Sequence, residues 1–183
     1  MNVDDEAVES IERTFHSAQG MAYLGEQVTM IQHQLQAAAL ATASGCGDAL
    51  IVAALLHDVG HLIEDVAHDR DAHHDATGAL WLSRWFGPEV TEPVRLHVAA
   101  KRFLVATEPD YAAKLSEASV HTLQLQGGPM SPHEVSQFAA GGYAHDAIAL
   151  RRLDEAAKDG SKEAPGFDSY RDVLRRVLAR GRA

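Results

Sequence analysis

The sequence contains a single cysteine, Cys46, among its 183 residues. One thiol excludes an intrachain disulfide, and it excludes zinc and iron–sulfur sites that need several thiolate ligands. Any metal ion bound by this chain would therefore be held by histidine and carboxylate side chains.

Positive charge and long apolar runs are also scarce. The chain has 16 Lys and Arg against 26 Asp and Glu, a formal net charge of -10, and no sizeable basic cluster precedes the C-terminal tail, which argues against a nucleic-acid partner. No apolar stretch approaches the roughly 20 residues of a membrane span, and residues 1–6 have neither a basic start nor an apolar signal core. We expect a cytoplasmic protein that acts on a small molecule, with no membrane partner.

Alternating strands joined by hairpin turns are not indicated, whereas helical signals dominate. The hydrophobic content of 46% suits one buried core over this length. We predict an all-α protein with one compact domain at 1–183, a metal-binding core at about 23–158 and a C-terminal packing helix at about 168–180. Other helices are predicted at 3–18, 29–44, 48–57 (capped by Asp48), 76–86, 91–104 and 143–158, with a short one after Ser131, and loops at 64–75 and 160–166.

What the sequence does have is a His-Asp pair at the end of an apolar helix. His57 and Asp58 directly follow residues 49–56, which are all Ala, Leu, Ile or Val. A carboxylate in such a buried place must be paired or bound to a metal ion, because isolated ionic burial is very unfavourable. The pair therefore predicts a metal site inside a helical domain.

Five of the eleven histidines are predicted to be surface or packing residues: His16, His68, His121, His133 and His145. Six other residues lie at or near interior-facing helix positions and suit iron, manganese or zinc: His33, His57, Asp58, His74, His97 and Asp154. Six ligands are too many for one closed tetrahedral site. Two metal ions about 3.5 to 4 Å apart would use them all, with Asp58 as the natural bridge.

Several of these choices stay open from spacing alone. His73 and His74 cannot be separated by periodicity, and Asp146 beside His145 imitates the first His-Asp pair. Asp154 could instead be a surface carboxylate paired with a lysine four residues later. The two cations near candidate ligands, Lys101 and Arg151, could be solvated, or they could face an anion held at the metal ions.

The ordered combination of these residues resembles the HD-domain metal-dependent superfamily, and His74 and His97 resemble the extra ligands of its dinuclear members. Three segments are further similar to the PhnZ-like mixed-valent di-iron oxygenases, which break carbon–phosphorus bonds. They are Tyr-Leu-Gly-Glu at 23–26, Leu-His-Asp-Val-Gly-His at 56–61, and Ser-Val-His-Thr-Leu-Gln-Leu-Gln-Gly-Gly-Pro-Met at 119–130. The similarity covers about residues 23–158.

This resemblance implies two iron ions as an Fe(II)/Fe(III) pair, with O2 as co-substrate. One iron would be held by His33, His57 and Asp154, the other by His74 and His97, with Asp58 as the bridge. His74 is preferred to His73, because residues 74–79 (His-Asp-Ala-Thr-Gly-Ala) are similar to the family's His-acid-x-x-Gly-Ala segment.

The resemblance also implies roles around the substrate. Tyr23 would occupy the substrate-side iron at rest and leave it when substrate arrives. Glu26 would move with it and meet the cationic nitrogen of an aminophosphonate. The phosphonate group would be surrounded by His61, Lys101, Ser119, Thr122 and Arg151. We thus expect Tyr23, Glu26 and His61 to take part in catalysis.

The implied reaction oxidises the hydroxyl-bearing carbon of the substrate and breaks its bond to phosphorus. A 1-hydroxy-2-aminoethylphosphonate would give glycine and phosphate, and an N-methylated substrate would give a methylated glycine such as glycine betaine. The alternative is a dinuclear HD phosphohydrolase acting on a nucleotide or phosphate ester with the same metal ligands. A third hypothesis is a binding protein whose metal ions only stabilise the fold. The nitrogen substituent and the oligomeric state stay open.

Overall fold

The computed structural model describes residues 3–18, 21–23, 25–63 and 70–181. Within them the chain forms helices and turns without any strand, and one isolated antiparallel bridge joins Ala22 to Thr29. The prediction of an all-α protein is confirmed. No helix in these segments is both long and apolar enough to cross a membrane.

The helix bounds follow the chain in this order. They are α1 (Val3–His16), α2 (Met30–Ala43), α3 (Asp48–Leu56), α4 (Gly60–Ile63), α5 (Arg70–Leu82), α6 (Pro88–Thr107), α7 (Pro109–Ala112), α8 (Glu117–Leu125), α9 (Pro132–Ala139), α10 (Ala144–Ala156) and α11 (Arg171–Arg180), with a 3₁₀ turn at Phe167–Tyr170 before the last helix. The predicted helices all exist, and α8 is a helix that the sequence patterns did not reveal.

Helix starts follow local chemistry where a capping side chain is present. Thr29 and Ser131 are each the N-cap of a helix with a capping box. The N-cap hydroxyl accepts a hydrogen bond from the backbone N–H three residues later, and the side chain of that later residue accepts one from the backbone N–H of the N-cap. The prediction that Asp48 caps α3 is wrong, because Gly47 is the cap and Asp48 is the first helical residue. Its carboxylate instead accepts hydrogen bonds from Arg176 and Arg180.

Two predicted boundaries also need correction. Helix α5 begins at Arg70, so the second half of the predicted 64–75 loop is helical, and residues 64–69 lie outside the described part. Helix α6 begins at Pro88 rather than near Thr91, because proline suits the first turn of a helix, and Pro93 also lies within this helix.

The core lies where α2, α3, α6 and α10 pack together, and α5 packs on α6. Helix α3 is buried on all sides from Ile51 to Leu56, as its continuous apolar sequence requires. Helix α11 covers α3 and α1 with its predicted apolar stripe, in which Val173, Leu174, Val177 and Leu178 are buried. The core helices α2, α3, α6 and α10 thus also position four of the predicted metal ligands, His33, His57, His97 and Asp154.

Helices α4 and α5 approach so closely that glycine is required at their contact. A Cβ atom on Gly60 would lie 1.9 Å from the carbonyl oxygen of His74, and one on Gly78 would lie 3.1 Å from the backbone nitrogen of Gly60. Such overlap could be relieved only by moving the backbone. Gly60 therefore fixes how near His74 comes to the end of α3.

Candidate metal centre

The predicted metal ligands meet at the C-terminal end of α3. His57 is the C-cap of that helix, and its Nδ1 atom lies 2.9 Å from the carbonyl oxygen of Ala54. Asp58 follows in the turn and is 2% exposed. The apolar helix therefore delivers an imidazole and a carboxylate into the interior, as the sequence predicted.

Four of the side chains form one half of the centre. His33 from α2 and His57 face each other with their Nε2 atoms 3.1 Å apart. The Nε2 atom of His33 lies 3.5 Å from Oδ2 of Asp58 and 3.4 Å from Oδ1 of Asp154. His57 is 3.4 Å from the same Asp58 oxygen. All four side chains are at most 2% exposed.

The other oxygen of Asp58 faces a second histidine pair. The Nε2 atoms of His74 and His97 are 3.0 Å apart, and they lie 3.5 and 3.6 Å from Oδ1 of Asp58. His61 extends this half, since its ring stacks on that of His74 at 4.1 Å, and ligand atoms of Asp58, His61 and His74 lie within 4.8 Å of one another. We call the six predicted ligands His33, His57, Asp58, His74, His97 and Asp154 the histidine–aspartate cluster.

Backbone carbonyl groups decide which imidazole nitrogens face inward. The Nδ1 atoms of His33, His57 and His97 lie within 2.9 Å of the carbonyl oxygens of Ala157, Ala54 and Val94. A carbonyl only accepts, so these Nδ1 atoms carry hydrogen and donate it. In neutral rings the Nε2 lone pairs then point into the cluster, which is the orientation that metal-binding histidines adopt.

Unsatisfied atoms show that the cluster fits a cation. Oδ2 of Asp58 and Oδ1 of Asp154 are buried without a hydrogen-bond partner among the described residues, and the paired Nε2 lone pairs would repel each other across 3.1 Å. A positive charge between them relieves both problems. With nitrogen and oxygen donors only, the donor set suits iron, manganese or zinc.

Burial and neighbouring charges shift the pKa values of the histidines and carboxylates in the cluster. Burial lowers the pKa of His57, but the Asp58 carboxylate opposes it and raises the value to about 9. Burial alone would raise the pKa of Asp58, yet His57 holds it well below its usual range. Burial, and then His61, lower the pKa of His74. A bound metal ion would replace the proton of His57, because both occupy the same lone pair.

A cavity of about 240 Å³ opens beside the cluster. This is below the roughly 300 to 1,000 Å³ of pockets for drug-sized ligands, so it suits a small substrate. Its walls include every predicted substrate residue, together with the more exposed ligands: Tyr23, Glu26, Asp58, His61, His74, His97, Lys101, Ser119, Thr122, Arg151 and Asp154. The fully buried His33 and His57 lie behind this wall.

Tyr23 covers one end of the cluster. Its ring stacks on His33 with a centroid distance of 4.1 Å and an interplanar angle of 15°. Burial raises the pKa of the Tyr23 hydroxyl well above its ordinary value, and the charges of Asp58 and Asp154 add to this. The short loop that carries Tyr23 and Glu26 turns at Gly25, whose φ of +77° favours glycine.

Cationic and hydroxyl groups line the opposite wall. Lys101 is 3% exposed, and its ammonium donates to Oγ1 of Thr122 at 2.8 Å. Burial, and then the neighbouring Arg151, lower the pKa of Lys101 from 10.5 to about 7. Of the two alternatives that the sequence left open for Lys101 and Arg151, the structure favours the second, because both are buried in the cavity wall rather than solvated.

Arg151 is held on several sides. Its Nε donates to the hydroxyl of Tyr111 at 2.8 Å, and its two Nη groups donate to Asp154 and Glu155, and to Ser119 at 3.2 Å. A guanidinium has five N–H groups. These partners among the described residues take four of them, which leaves one Nη hydrogen available to a ligand. Tyr111 and Glu155 are contacts that the sequence patterns did not predict.

Lys158 is the main functional side chain that the sequence analysis missed. Its ammonium lies 3.0 Å from Oε1 of Glu26 and 3.1 Å from Oε2 of Glu155, and it donates to Oγ of Ser119 at 2.8 Å. The alternative in which Lys158 pairs with a surface Asp154 is wrong, because Asp154 is buried against Arg151. We call Glu26, Ser119, Arg151, Glu155 and Lys158 the ion-pair network.

Comparison with proteins of known sequence agrees with this centre, although no family model matches the chain. The chain is 43% identical over 161 residues to the glycine-betaine-forming 1-hydroxy-2-(trimethylamino)ethylphosphonate dioxygenase of Leisingera caerulea, covering 85% of this chain and 82% of that protein. It is 41% identical over 166 residues to the hydroxymethylphosphonate dioxygenase of Gimesia maris, covering 87% and 82%. An uncharacterised protein of Acanthamoeba polyphaga mimivirus is 33% identical over 180 residues, covering 94% and 82%.

This chain belongs to the PhnZ-like family of phosphonate dioxygenases. As a member of that family it is a metal-dependent oxygenase, and two groups of side chains in the described part of the chain could hold a metal ion: His33, His57 and Asp58, and Asp58, His61 and His74. The phosphohydrolase alternative and the binding-protein hypothesis are not supported, because both named relatives carry the name of an oxygenase.

Within the PhnZ-like fold, the competing histidines are separated by burial. His73 is exposed while His74 is 6% exposed and faces Asp58. His145 is exposed and Asp146 is half-exposed, and both lie outside the cavity wall. His16, His121 and His133 are exposed, as predicted, and His68 lies outside the described residues.

Proposed function

We propose that this protein is a di-iron dioxygenase that cleaves the carbon–phosphorus bond of a 1-hydroxy-2-(substituted amino)ethylphosphonate. The products would be phosphate and glycine, or an N-methylated glycine such as glycine betaine. One observation carries the proposal: Asp58 turns one oxygen toward His33 and His57 and the other toward His74 and His97. The names of the relatives from Leisingera caerulea and Gimesia maris supply the substrate class.

The histidine–aspartate cluster divides naturally into two ligand sets. His33, His57 and Asp154 would hold one iron, His74 and His97 the other, and Asp58 would bridge them. When bound, the two iron ions would supply open coordination positions and the redox capacity that a reaction with O2 needs. The backbone carbonyls behind three of the imidazoles would keep those rings oriented while the ions are loaded.

The phosphonate group would bind against Lys101, Thr122 and the free Nη hydrogen of Arg151. A dianionic head needs donors and cations, and these side chains point into the cavity from α6, α8 and α10. His61 and Ser119 line the same wall and offer further hydrogen bonds. This placement would leave the hydroxyl-bearing carbon beside the cluster.

Tyr23 would exclude water from the cluster until substrate arrives. Its ring already lies flat on His33, and its hydroxyl keeps its proton because burial raises the pKa. Glu26 stands on the same short loop, so movement of Tyr23 would carry the Glu26 carboxylate as well. The amino group of the substrate would then find Glu26 at the far end of the cavity.

The overall reaction balances with one O2 per substrate. The two oxygen atoms appear in the carboxylate and in phosphate, the hydroxyl-bearing carbon is oxidised, and its bonds to hydrogen and phosphorus break. The test is oxygen uptake and phosphate release by iron-loaded protein, with 1-hydroxy-2-aminoethylphosphonate and its N-trimethyl form side by side. One-to-one uptake and release supports the proposal, whereas cleavage of a phosphate ester without oxygen uptake would refute it.

A further inference from the structure

We propose that Lys158 is a specificity-determining residue, because its ammonium is already paired with Glu26, the carboxylate that a cationic substrate tail would meet. This inference rests on the proposed function and concerns which 1-hydroxyphosphonate the cavity prefers. A cationic tail would have to share the charge of Glu26 with Lys158 and would be repelled by its ammonium, whereas an uncharged tail would not. Lys158 therefore sets the discrimination between the two kinds of substrate.

Glu26 is the one carboxylate of the described cavity wall that is left for a substrate cation. The other two, Asp58 and Asp154, belong to the histidine–aspartate cluster. Oε1 of Glu26 is already taken by Lys158 at 3.0 Å and by Oγ of Ser116 at 2.5 Å. Since both charged side chains are only about one-tenth exposed, water screens this ion pair weakly.

The cavity offers a quaternary ammonium no substitute for that charge. Such a group donates no hydrogen bond and prefers the faces of aromatic rings. Among the described lining residues the one aromatic ring besides histidine is Tyr23, and one face of that ring is covered by His33. Binding of a cationic tail would therefore depend on Glu26, for which Lys158 competes.

The ammonium of Lys158 cannot simply leave the cavity when a substrate enters. The backbone on either side is anchored to α2, because the carbonyl of Ala157 accepts from His33 at 2.9 Å and that of Asp159 accepts from Gln36 at 2.8 Å. If the ion pair with Glu26 broke, Glu155 and Ser119 would still bind the Lys158 ammonium close to the substrate tail. The repulsion between two cations would persist, so Lys158 lowers the affinity for a charged tail relative to an uncharged one without excluding it.

The test compares two substrates on four proteins. Iron-loaded wild type, Lys158→Met, Lys158→Arg and Lys162→Met would be assayed with 1-hydroxy-2-(trimethylamino)ethylphosphonate and with hydroxymethylphosphonate. We expect the ratio of kcat/KM, cationic over uncharged substrate, to rise roughly tenfold or more in Lys158→Met, mainly through KM. Lys158→Arg keeps the charge and should keep the wild-type ratio. Lys162 is a matched control, because it is an exposed lysine paired with Asp159.

An unchanged ratio in folded Lys158→Met, with circular dichroism as the check on folding, would overturn the inference. If that variant does not fold, Lys158→Gln takes its place in the same comparison. Anaerobic calorimetric titration of both compounds measures the same ratio as affinities without turnover. Failure of the wild type to cleave either compound would refute the proposed function, and the titration would still decide the role of Lys158.

Discussion

The histidine–aspartate cluster and the ion-pair network share one cavity but are held by different kinds of contact. In the cluster, three imidazoles are oriented by backbone carbonyls of helices or of a helix end. In the network, Lys158, Glu155 and Arg151 hold one another through side chains alone. The first arrangement cannot change without moving a helix, whereas the second can exchange partners. A rigid metal centre beside adjustable substrate contacts follows from this difference.

The largest effect should come from breaking the cluster at Asp58. Asp58→Asn removes the charge that faces both histidine pairs, so we expect loss of metal from both halves and a fall in turnover of more than about a hundredfold. Metal content by mass spectrometry and phosphate release would measure this. Asp146→Asn is the matched control, because Asp146 also follows a histidine but its side chain is half-exposed and lies outside the cavity wall. Full metal loading of Asp58→Asn would contradict the bridging role.

A second way to break the cluster acts through the backbone. Gly60→Ala places a methyl group against the carbonyl of His74, 1.9 Å away before any adjustment. We expect a loss of about 3 kcal/mol in the free energy of unfolding, the upper end of overpacking costs, with metal lost first from the His74 half. Urea unfolding and metal analysis test both points. Gly142→Ala, where nothing lies within 4 Å, should change neither.

A further prediction concerns the cavity wall and follows from the protonation of Lys101. Its pKa of about 7 means that the ammonium is charged below neutral pH and loses its charge as the pH rises. Since a phosphonate needs that charge, kcat/KM should fall above pH 7. Lys101→Arg stays charged throughout and should flatten this part of the profile. Using one substrate for both proteins cancels the ionisation of the phosphonate, and identical profiles would argue against Lys101.

The smallest expected effect concerns Arg151, which belongs to the ion-pair network and also pairs with Asp154 of the cluster. Tyr111→Phe removes the hydroxyl that accepts from Nε of Arg151. A hydrogen bond to a charged group contributes about 1.5 to 3 kcal/mol, so we expect KM for the phosphonate to rise by about tenfold. Metal content should stay at the wild-type level, since Tyr111 touches none of the histidines. A loss of metal instead of a rise in KM would mean that Tyr111 supports Asp154.

Most of the cluster could be predicted because its residues lie on, or directly after, a helix with a recognisable interior face, whereas His74 fell in the predicted 64–75 loop and was chosen by the family resemblance. His57 and Asp58 end an apolar helix, and His97 shares a face of α6 with the buried Lys101. Periodicity could not choose between His73 and His74, since the choice depends on the contact at Gly60. Lys158 escaped prediction because it lies beyond the end of α10, where the direction of a side chain depends on the turn and not on helical spacing.

The turn after α10 has a consequence for how such enzymes diverge. The carbonyl of Ala157 accepts a hydrogen bond from Nδ1 of His33, and the next residue, Lys158, reaches Glu26 in the cavity wall. An insertion or deletion there would disturb both His33 of the cluster and Lys158 of the cavity wall, and hence metal affinity and substrate choice, in a single step. Changes of preference that preserve iron binding are therefore expected to arise by exchange of the side chain at position 158 while the length of the turn is kept.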